Sequence, residues 1–148
     1  MDMTYPSWTY QGRIYNDLKD FPEDTHGFIY EVTHLPSGMK YLGKKVLYFN
    51  RTLPPLKGQK RKRKVTKESD WKDYYGSHPK IKELIKECKD SNEWQVWEKK
   101  ILQICKTKKQ LTYYETKFLM VHDVLESHSH QYINDNILGK FYRKDFEQ

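Results

Sequence analysis

The feature that most constrains the fold is the segment 27–47, in which two runs of strand-forming residues flank a short loop. The first run, 27–34, is rich in aromatic and β-branched residues, which favour extended backbone. Leu35-Pro36-Ser37-Gly38 follows, with proline and glycine placed for a tight turn. The run 39–47 can return as a second strand. The segment therefore predicts an antiparallel hairpin at the head of a sheet.

Further elements follow the hairpin along the chain. Pro79 stands in the first turn of a helix expected near 78–90, at a position that helices tolerate. Apolar alternation predicts a strand within 94–104. Thr107 and Gln110 have the spacing of a capping box, which begins a helix over 107–126. These elements predict an α+β fold: a small, mainly antiparallel β-sheet flanked by helices.

The length of 148 residues fits one domain with a short extension. Only 36% of the residues are apolar, but 15% are aromatic, and each buried aromatic ring removes a large area from water. We therefore expect a folded domain. Residues 1–26 are interpreted as an N-terminal extension packed on the domain, and 27–148 as the domain itself, with a basic insertion at 51–70.

The formal net charge of +7 favours a polyanionic partner without saying which one. No apolar stretch approaches the roughly 20 residues needed to span a bilayer, and the N-terminus lacks the basic and apolar regions of a signal peptide. We therefore expect a cytoplasmic protein. Cys88 and Cys105 lack metal-ligand spacing and are expected to be reduced and buried.

One carboxylate stands at an unusual position in the second predicted helix. Glu115 lies four residues after Leu111 and three before Phe118, so it borders the buried face. An unpaired carboxylate is costly there, and a metal ligand is expected at such a position. On spacing alone, a solvated carboxylate on the flank of the helix is the competing interpretation.

Several short motifs occur together in a recognisable order. They are Phe28-Ile29-Tyr30, Tyr41-Leu42-Gly43, Arg51, Glu115 and Tyr132-Ile133-Asn134. In this order and spacing the chain resembles the GIY-YIG nuclease superfamily, from about residue 27 to residue 137. The stretch 71–77 is similar to that of free-standing, phage-encoded homing-type members. The resemblance implies the α+β fold already predicted.

The sequence departs from the family pattern at a few points. Phe28 stands where a glycine is usual, although Gly27 lies one position earlier. The basic insertion stretches the usual spacing, so Arg61 or Arg63 could take the role of Arg51. The closing asparagine is either Asn134, which we prefer, or Asn136.

The resemblance implies a metal-dependent DNA endonuclease that leaves a 5′-phosphate and a 3′-hydroxyl. Glu115 would hold one Mg²⁺, for which Mn²⁺ can substitute, and Arg51 would clamp the phosphate. Tyr30 would take the proton of the attacking water. Its pKa would have to be lowered for this, by the metal or by Lys44, Lys45 or Arg51. Tyr41 would orient the water or Tyr30, and Asn134 would hold the substrate or Glu115. His34 and His78 are weaker candidates for a second proton acceptor.

A run of five consecutive basic residues, 60–64, is expected to contact DNA phosphates rather than to be only a solvated tail. Such contacts give affinity and steep salt dependence but little base specificity. The candidate DNA-binding residues are Lys44, Lys45, Lys60, Arg61, Lys62, Arg63 and Lys64.

The expected partner is double-stranded DNA, in the cytoplasm of a host bacterium if the chain is phage-encoded. A homodimer and a separate protein that supplies specificity both remain open. Two rival functions also remain: a catalytically inactive relative that binds nucleic acid, as a regulatory or anti-defence module, and a basic scaffold for RNA or protein in which the tyrosines are structural.

Overall fold

The computed structural model describes residues 5–126 and 131–146. In chain order the strands are β1 (Trp8–Tyr10), β2 (Arg13–Tyr15), β3 (Gly27–His34), β4 (Met39–Val46), β5 (Tyr48–Leu53), β6 (Arg63–Glu68), β7 (Trp97–Cys105), β8 (Asn136–Ile137) and β9 (Phe141–Tyr142). The α-helices are α1 (Pro79–Ser91) and α2 (Lys108–Val121).

A five-stranded sheet with the order β2-β1-β7-β3-β4 forms the body of the molecule. β3 pairs antiparallel with both β4 and β7, whereas β1 pairs with β7 in parallel. In the predicted hairpin, Tyr30 lies opposite Gly43, and β4 is an edge strand of the sheet. The α+β prediction, with a mainly antiparallel sheet and flanking helices, is confirmed.

The two faces of the sheet carry separate cores because successive side chains of a strand point to opposite sides. Phe28, Tyr30 and Val32 of β3 pack in one core with Ile81 of α1. Ile29, which lies between Phe28 and Tyr30 in the sequence, packs in the other core. That core also contains Leu42 of β4 and Leu111 and Leu119 of α2. The domain therefore has a helix on each face of the sheet.

Both helices begin where the sequence predicted, and α2 ends earlier. The Thr107 hydroxyl accepts a hydrogen bond from the Gln110 amide at 3.0 Å. The Gln110 side chain accepts from the amide of Lys106 at 2.9 Å, one residue before the amide that a capping box uses. The expected end at residue 126 is wrong: α2 stops at Val121, and Asp123 has a positive φ of 51° that cannot continue a helix.

The N-terminal segment contributes strands and core residues, not only packing against the outside. Residues 8–15 form β1 and β2 of the main sheet. Trp8 is almost fully buried, and its indole N–H donates to the carbonyl of Trp71 at 2.7 Å. Residues 1–4 of the predicted extension, and 127–130, 147 and 148 of the predicted domain, lie outside the described residues.

The basic insertion folds as a two-stranded ribbon of β5 and β6, a sheet of its own with exposed strands. Cys88 and Cys105 are buried, free thiols, as expected. Across the described part of the chain, no helix is long and apolar enough to cross a membrane.

Candidate active site

A polar cleft of about 410 Å³ opens at the edge of the main sheet. β4 forms one wall, and the start of α1, the middle of α2 and the segment 134–138 form the others. Its polar lining residues are Tyr41, Lys44, Ser77, His78, Glu115, Asn134, Asp135 and Asn136. Three of the five predicted catalytic residues, Tyr41, Glu115 and Asn134, therefore line a single cavity.

The two predicted tyrosines are neighbours on the α1 side of the sheet. Their ring centroids are 6.3 Å apart. Tyr30 is 1% exposed, and its ring lies across Gly43, where an added Cβ would come within 2.7 Å of its hydroxyl oxygen. Glycine is therefore required at position 43 for the phenol to reach the edge strand. Tyr41 lies at the cleft itself, with its hydroxyl 3.5 Å from the Ser77 hydroxyl.

The groups around Tyr30 do not lower its pKa, so the expected lowering would have to come from a bound metal ion. Burial raises the pKa of Tyr30 well above its ordinary value, and the neighbouring phenols Tyr74 and Tyr41 raise it further. Burial also raises the pKa of Tyr41. Lys45 does not supply the expected positive field, because it is itself buried and its ammonium bonds to Asp70 at 2.6 Å. That ion pair also makes Lys45 a poor candidate for DNA contact. The protein's own groups therefore favour the protonated form of both phenols.

Glu115 reaches the cleft from the α2 side of the sheet. It is half-buried, and the Lys44 ammonium lies 3.7 Å from its carboxylate. Burial raises the pKa of Glu115, and the positive charge of Lys44 opposes the rise. Lys44 also donates to the Thr112 hydroxyl at 3.4 Å. The edge of the sheet thus brings together a phenol from one face and a carboxylate–ammonium pair from the other.

Asn134 has a structural partner that the sequence did not indicate. The side chain is buried, its amide oxygen accepts from the Leu42 N–H at 3.1 Å, and its amide nitrogen donates to the Leu42 carbonyl at 2.7 Å. The side chain therefore pairs with the edge of β4 as another strand would. The alternative, Asn136, is an exposed residue at the start of β8, and its side chain accepts from the Gly139 N–H at 2.9 Å.

An acid–base pair in the cleft was not predicted from the sequence. The Nε2 atom of His78 lies 2.9 Å from the Asp135 carboxylate. The Nδ1 atom of His78 accepts from the Lys80 amide at the start of α1, so the ring proton is on Nε2, facing Asp135. Proline after His78 indicated the helix start, but nothing in the spacing indicated its pairing with Asp135. The other candidate histidine, His34, packs against Trp97.

Arg51 lies on the ribbon and is not among the residues that line the cleft. It is exposed and stands opposite Val65 in the β5–β6 register. The alternatives Arg61 and Arg63 are also exposed residues of the insertion. The cation that does line the cleft is Lys44. A clamp by Arg51 stays a prediction.

The donors in the cleft suit a hard divalent cation. They are oxygen atoms of Glu115, Asp135 and Tyr41, and Mg²⁺ prefers such ligands. Among the described residues, no group of three or more His, Cys, Asp or Glu side chains could form a closed metal cage. Mg²⁺ needs only one or two carboxylates when phosphate and water complete its shell. The residues therefore fit a single Mg²⁺ ion shared with a bound phosphate.

The comparisons with known proteins identify one family. A family model described as "Putative endonuclease segE, GIY-YIG domain" matches residues 8–137. The match includes β1 and β2 as well as the hairpin, the cleft and both helices. No curated protein and no solved structure matches the chain.

Proposed function

The chain belongs to the GIY-YIG family of endonucleases, of the SegE type, and on that premise we propose that it hydrolyses phosphodiester bonds of double-stranded DNA with one Mg²⁺ ion at Glu115. The observation that carries this proposal is the convergence of Tyr41, Lys44 and Glu115 on one polar cleft. Tyr41 and Glu115 are more than seventy positions apart in the sequence and come from opposite faces of the sheet.

In this proposal the cationic and anionic groups of the cleft bind the scissile phosphate. The Lys44 ammonium contacts a phosphate oxygen, and the Glu115 carboxylate holds the metal ion. When bound, Mg²⁺ supplies positive charge that offsets the charge gained by the phosphate and the leaving oxygen. The Nε2–H of His78, fixed by its helix-capping Nδ1, faces the Asp135 carboxylate and holds it at the cleft.

The phenols handle the proton of the attacking water. Tyr41, at the cleft, orients the water, and the ionised form of Tyr30, whose ring packs behind Tyr41, accepts the proton of the water and becomes the neutral phenol. The raised pKa of Tyr30 means that only a small fraction is ionised near neutral pH, so proton acceptance becomes more effective as the pH rises. Asn134 is a positioning residue, because it fixes the strand that carries Tyr41 and Lys44.

We also propose that the products carry a 5′-phosphate and a 3′-hydroxyl, and that the enzyme is of the homing type. The support is the family match together with the similarity of residues 71–77 to phage-encoded homing-type members. DNA ligase gives a direct test of the ends, because it reseals only nicks with a 5′-phosphate and a 3′-hydroxyl. Nicks that ligase cannot close would contradict this part.

The first prediction concerns Glu115. We expect the purified chain to nick supercoiled plasmid with Mg²⁺ or Mn²⁺ and not with EDTA. Glu115→Gln should lower the nicking rate by about 100-fold or more, the scale of losing one key electrostatic group. The matched control is Glu83→Gln, which removes an exposed carboxylate of α1 outside the cleft and should leave the rate unchanged.

Two outcomes would contradict the proposal in different ways. Undiminished nicking by Glu115→Gln would show that the metal is held elsewhere. If the wild type binds duplex DNA but does not cut it with either metal, the chain is an inactive nucleic-acid-binding module. Thermal unfolding of both variants distinguishes loss of activity from loss of fold.

A further inference from the structure

The ribbon of β5 and β6 projects from the domain without packing against it over most of its length. Every residue of β6, and all of β5 except Leu53, is exposed. An isolated two-stranded ribbon is only marginally stable in water, so keeping this ribbon exposed costs folding free energy. The cost suggests that the ribbon has a partner.

The β5–β6 register gives the ribbon two chemically different faces, since directly opposed residues point to the same side. One face carries three positive and no negative charges among apolar side chains. We call it the guanidinium face, formed by Phe49, Arg51, Leu53, Arg63, Val65 and Lys67. The opposite face has no net charge, because Lys64 and Glu68 cancel. Its residues are Tyr48, Asn50, Thr52, Lys64, Thr66 and Glu68.

The guanidinium face is continuous with the active-site side of the sheet. The Lys45 ammonium lies 5.0 Å from the centroid of the Phe49 ring and 4.0 Å from that of Tyr74. The ring of Tyr74 in turn meets the ring of Tyr30 edge-on, with centroids 5.8 Å apart. These contacts join the guanidinium face to the side of the sheet on which Tyr30 and Tyr41 lie.

We propose that the guanidinium face docks in the major groove of duplex DNA, with Arg51 and Arg63 on base edges, so that the ribbon gives the enzyme its sequence preference. This inference rests on the proposed function. The B-DNA major groove admits a two-stranded ribbon, and arginine bonds guanine through two parallel hydrogen bonds. The apolar residues of the face suit the methyl group of thymine. The major groove of A-form RNA is too narrow for such contact.

Geometry supports both arginines in this role. Arg51 and Val65 are directly opposed, which puts a guanidinium beside an apolar surface. The Nε–H of Arg63 donates to the Pro54 carbonyl at 3.3 Å, which uses one of its five N–H groups and orients the rest. The loop that joins the strands carries the remaining basic residues, Lys57, Lys60, Arg61 and Lys62, which suit phosphate contacts.

The structure offers a matched pair of variants for the test. Arg63 and Lys64 are adjacent, exposed and equally charged, but they lie on opposite faces of the ribbon. Duplexes with a randomised segment are selected for binding to the full chain in EDTA, where no cleavage is needed, and the bound sequences are determined. We expect the wild type to enrich a guanine-containing motif. Arg63→Gln and Arg51→Gln should each reduce the preference at one position about tenfold, within the range of one bidentate contact. Lys64→Gln should keep the motif.

The outcomes separate this proposal from the proposed nuclease function. Absence of an enriched motif, or a motif that survives both arginine variants, would overturn the role of the guanidinium face even if plasmid is cut. An arginine-dependent motif in a chain that never cuts DNA would keep this role and overturn the nuclease assignment. If Arg51→Gln slows nicking equally on every sequence and leaves the motif intact, Arg51 is a phosphate clamp and not a base contact. Single-stranded DNA or RNA that competes as well as duplex would also overturn the proposal.

Discussion

Gly43 shows how one missing side chain positions the phenol of Tyr30. The Tyr30 ring crosses the edge strand there, and an added Cβ would lie 2.7 Å from its hydroxyl oxygen and 2.9 Å from Cζ. Tyr30 is buried, so the ring has no free space into which to move. The third residue of the Tyr41-Leu42-Gly43 motif is therefore glycine for a steric reason, since its neighbour across the ladder is the tyrosine of the first motif.

A methyl group at position 43 should disturb both stability and activity. We expect Gly43→Ala to destabilise the fold by about 1–3 kcal/mol, the usual cost of overpacking a core. It should also displace Tyr30 and slow plasmid nicking. Urea unfolding measures the first effect. Tyr30→Phe removes the hydroxyl, so in a double-mutant cycle Gly43→Ala should lower the free energy of unfolding less in the Tyr30→Phe background than in the wild type. If the two losses are additive, the residues do not clash.

The raised pKa of Tyr30 predicts a characteristic pH dependence. A base must be deprotonated, so below its pKa the effective fraction rises about tenfold per pH unit. Because burial raises the pKa of Tyr30, the nicking rate at saturating Mg²⁺ should keep rising from pH 7 to pH 9. Tyr30→Phe should lower the rate and remove the slope. A plateau near pH 8 in the wild type would indicate a base with a lower pKa.

Among the elements, the edge strand β4 depends on the segment 131–134 for its unpaired side. The amide of Lys40 donates to the Gln131 carbonyl at 2.7 Å, and the amide of Ile133 donates to the Lys40 carbonyl at 2.9 Å. Asn134 then continues the pairing with its side chain at Leu42. This cover blocks the edge to other strands and holds the cleft wall in place.

The role of Asn134 can be tested with two substitutions. Asn134→Ala leaves the N–H and the carbonyl of Leu42 without partners and should cost about 2 kcal/mol, as for unsatisfied buried groups. Asn134→Asp keeps the acceptor for the Leu42 N–H but places a second oxygen against the Leu42 carbonyl. This variant should therefore be no more stable than Asn134→Ala. A metal ligand or phosphate contact would give another pattern, in which Asp is tolerated and only activity changes. The control is Asn136→Ala at the exposed start of β8, measured by the same urea unfolding.

The sequence predicted elements whose pattern is local and long, and it failed where partners are distant. The hairpin and α1 follow from strand propensity and helical spacing. The three-residue strands β1 and β2 are too short to show alternation, so they were interpreted as a peripheral extension. At the site, the ordered motifs indicated Tyr41 and Glu115. The pairings of Asn134 with Leu42 and of His78 with Asp135 span more than fifty residues and leave no periodic signal.

At the scale of the whole molecule, Lys99 of β7 joins parts of the chain that lie far apart in the sequence. It is 1% exposed. Its ammonium donates to the Lys72 carbonyl at 3.0 Å, and it lies 4.3 Å from the Trp8 ring centroid and 4.2 Å from that of Tyr75. The N-terminal strand, the sheet and the segment before α1 therefore share one buried lysine side chain, which connects the extension to the segment before α1.

Stability should therefore depend on pH through this residue. Burial lowers the pKa of Lys99 to about 7, below the ordinary value that it regains on unfolding. Between these two pKa values the unfolded chain binds more protons than the folded chain. The contribution of Lys99 to stability therefore rises with pH from about 7 towards 10 and is constant below pH 7. The slope is at most about 1.4 kcal/mol per pH unit, and the aromatic faces move its onset to higher pH because they favour the charged form. The Lys99→Met variant has no titratable group at this position. In urea unfolding from pH 6 to pH 10, the free energy of unfolding of the wild type should therefore rise relative to that of the variant only above pH 7. A constant difference over that range would mean that Lys99 stays charged in the folded protein.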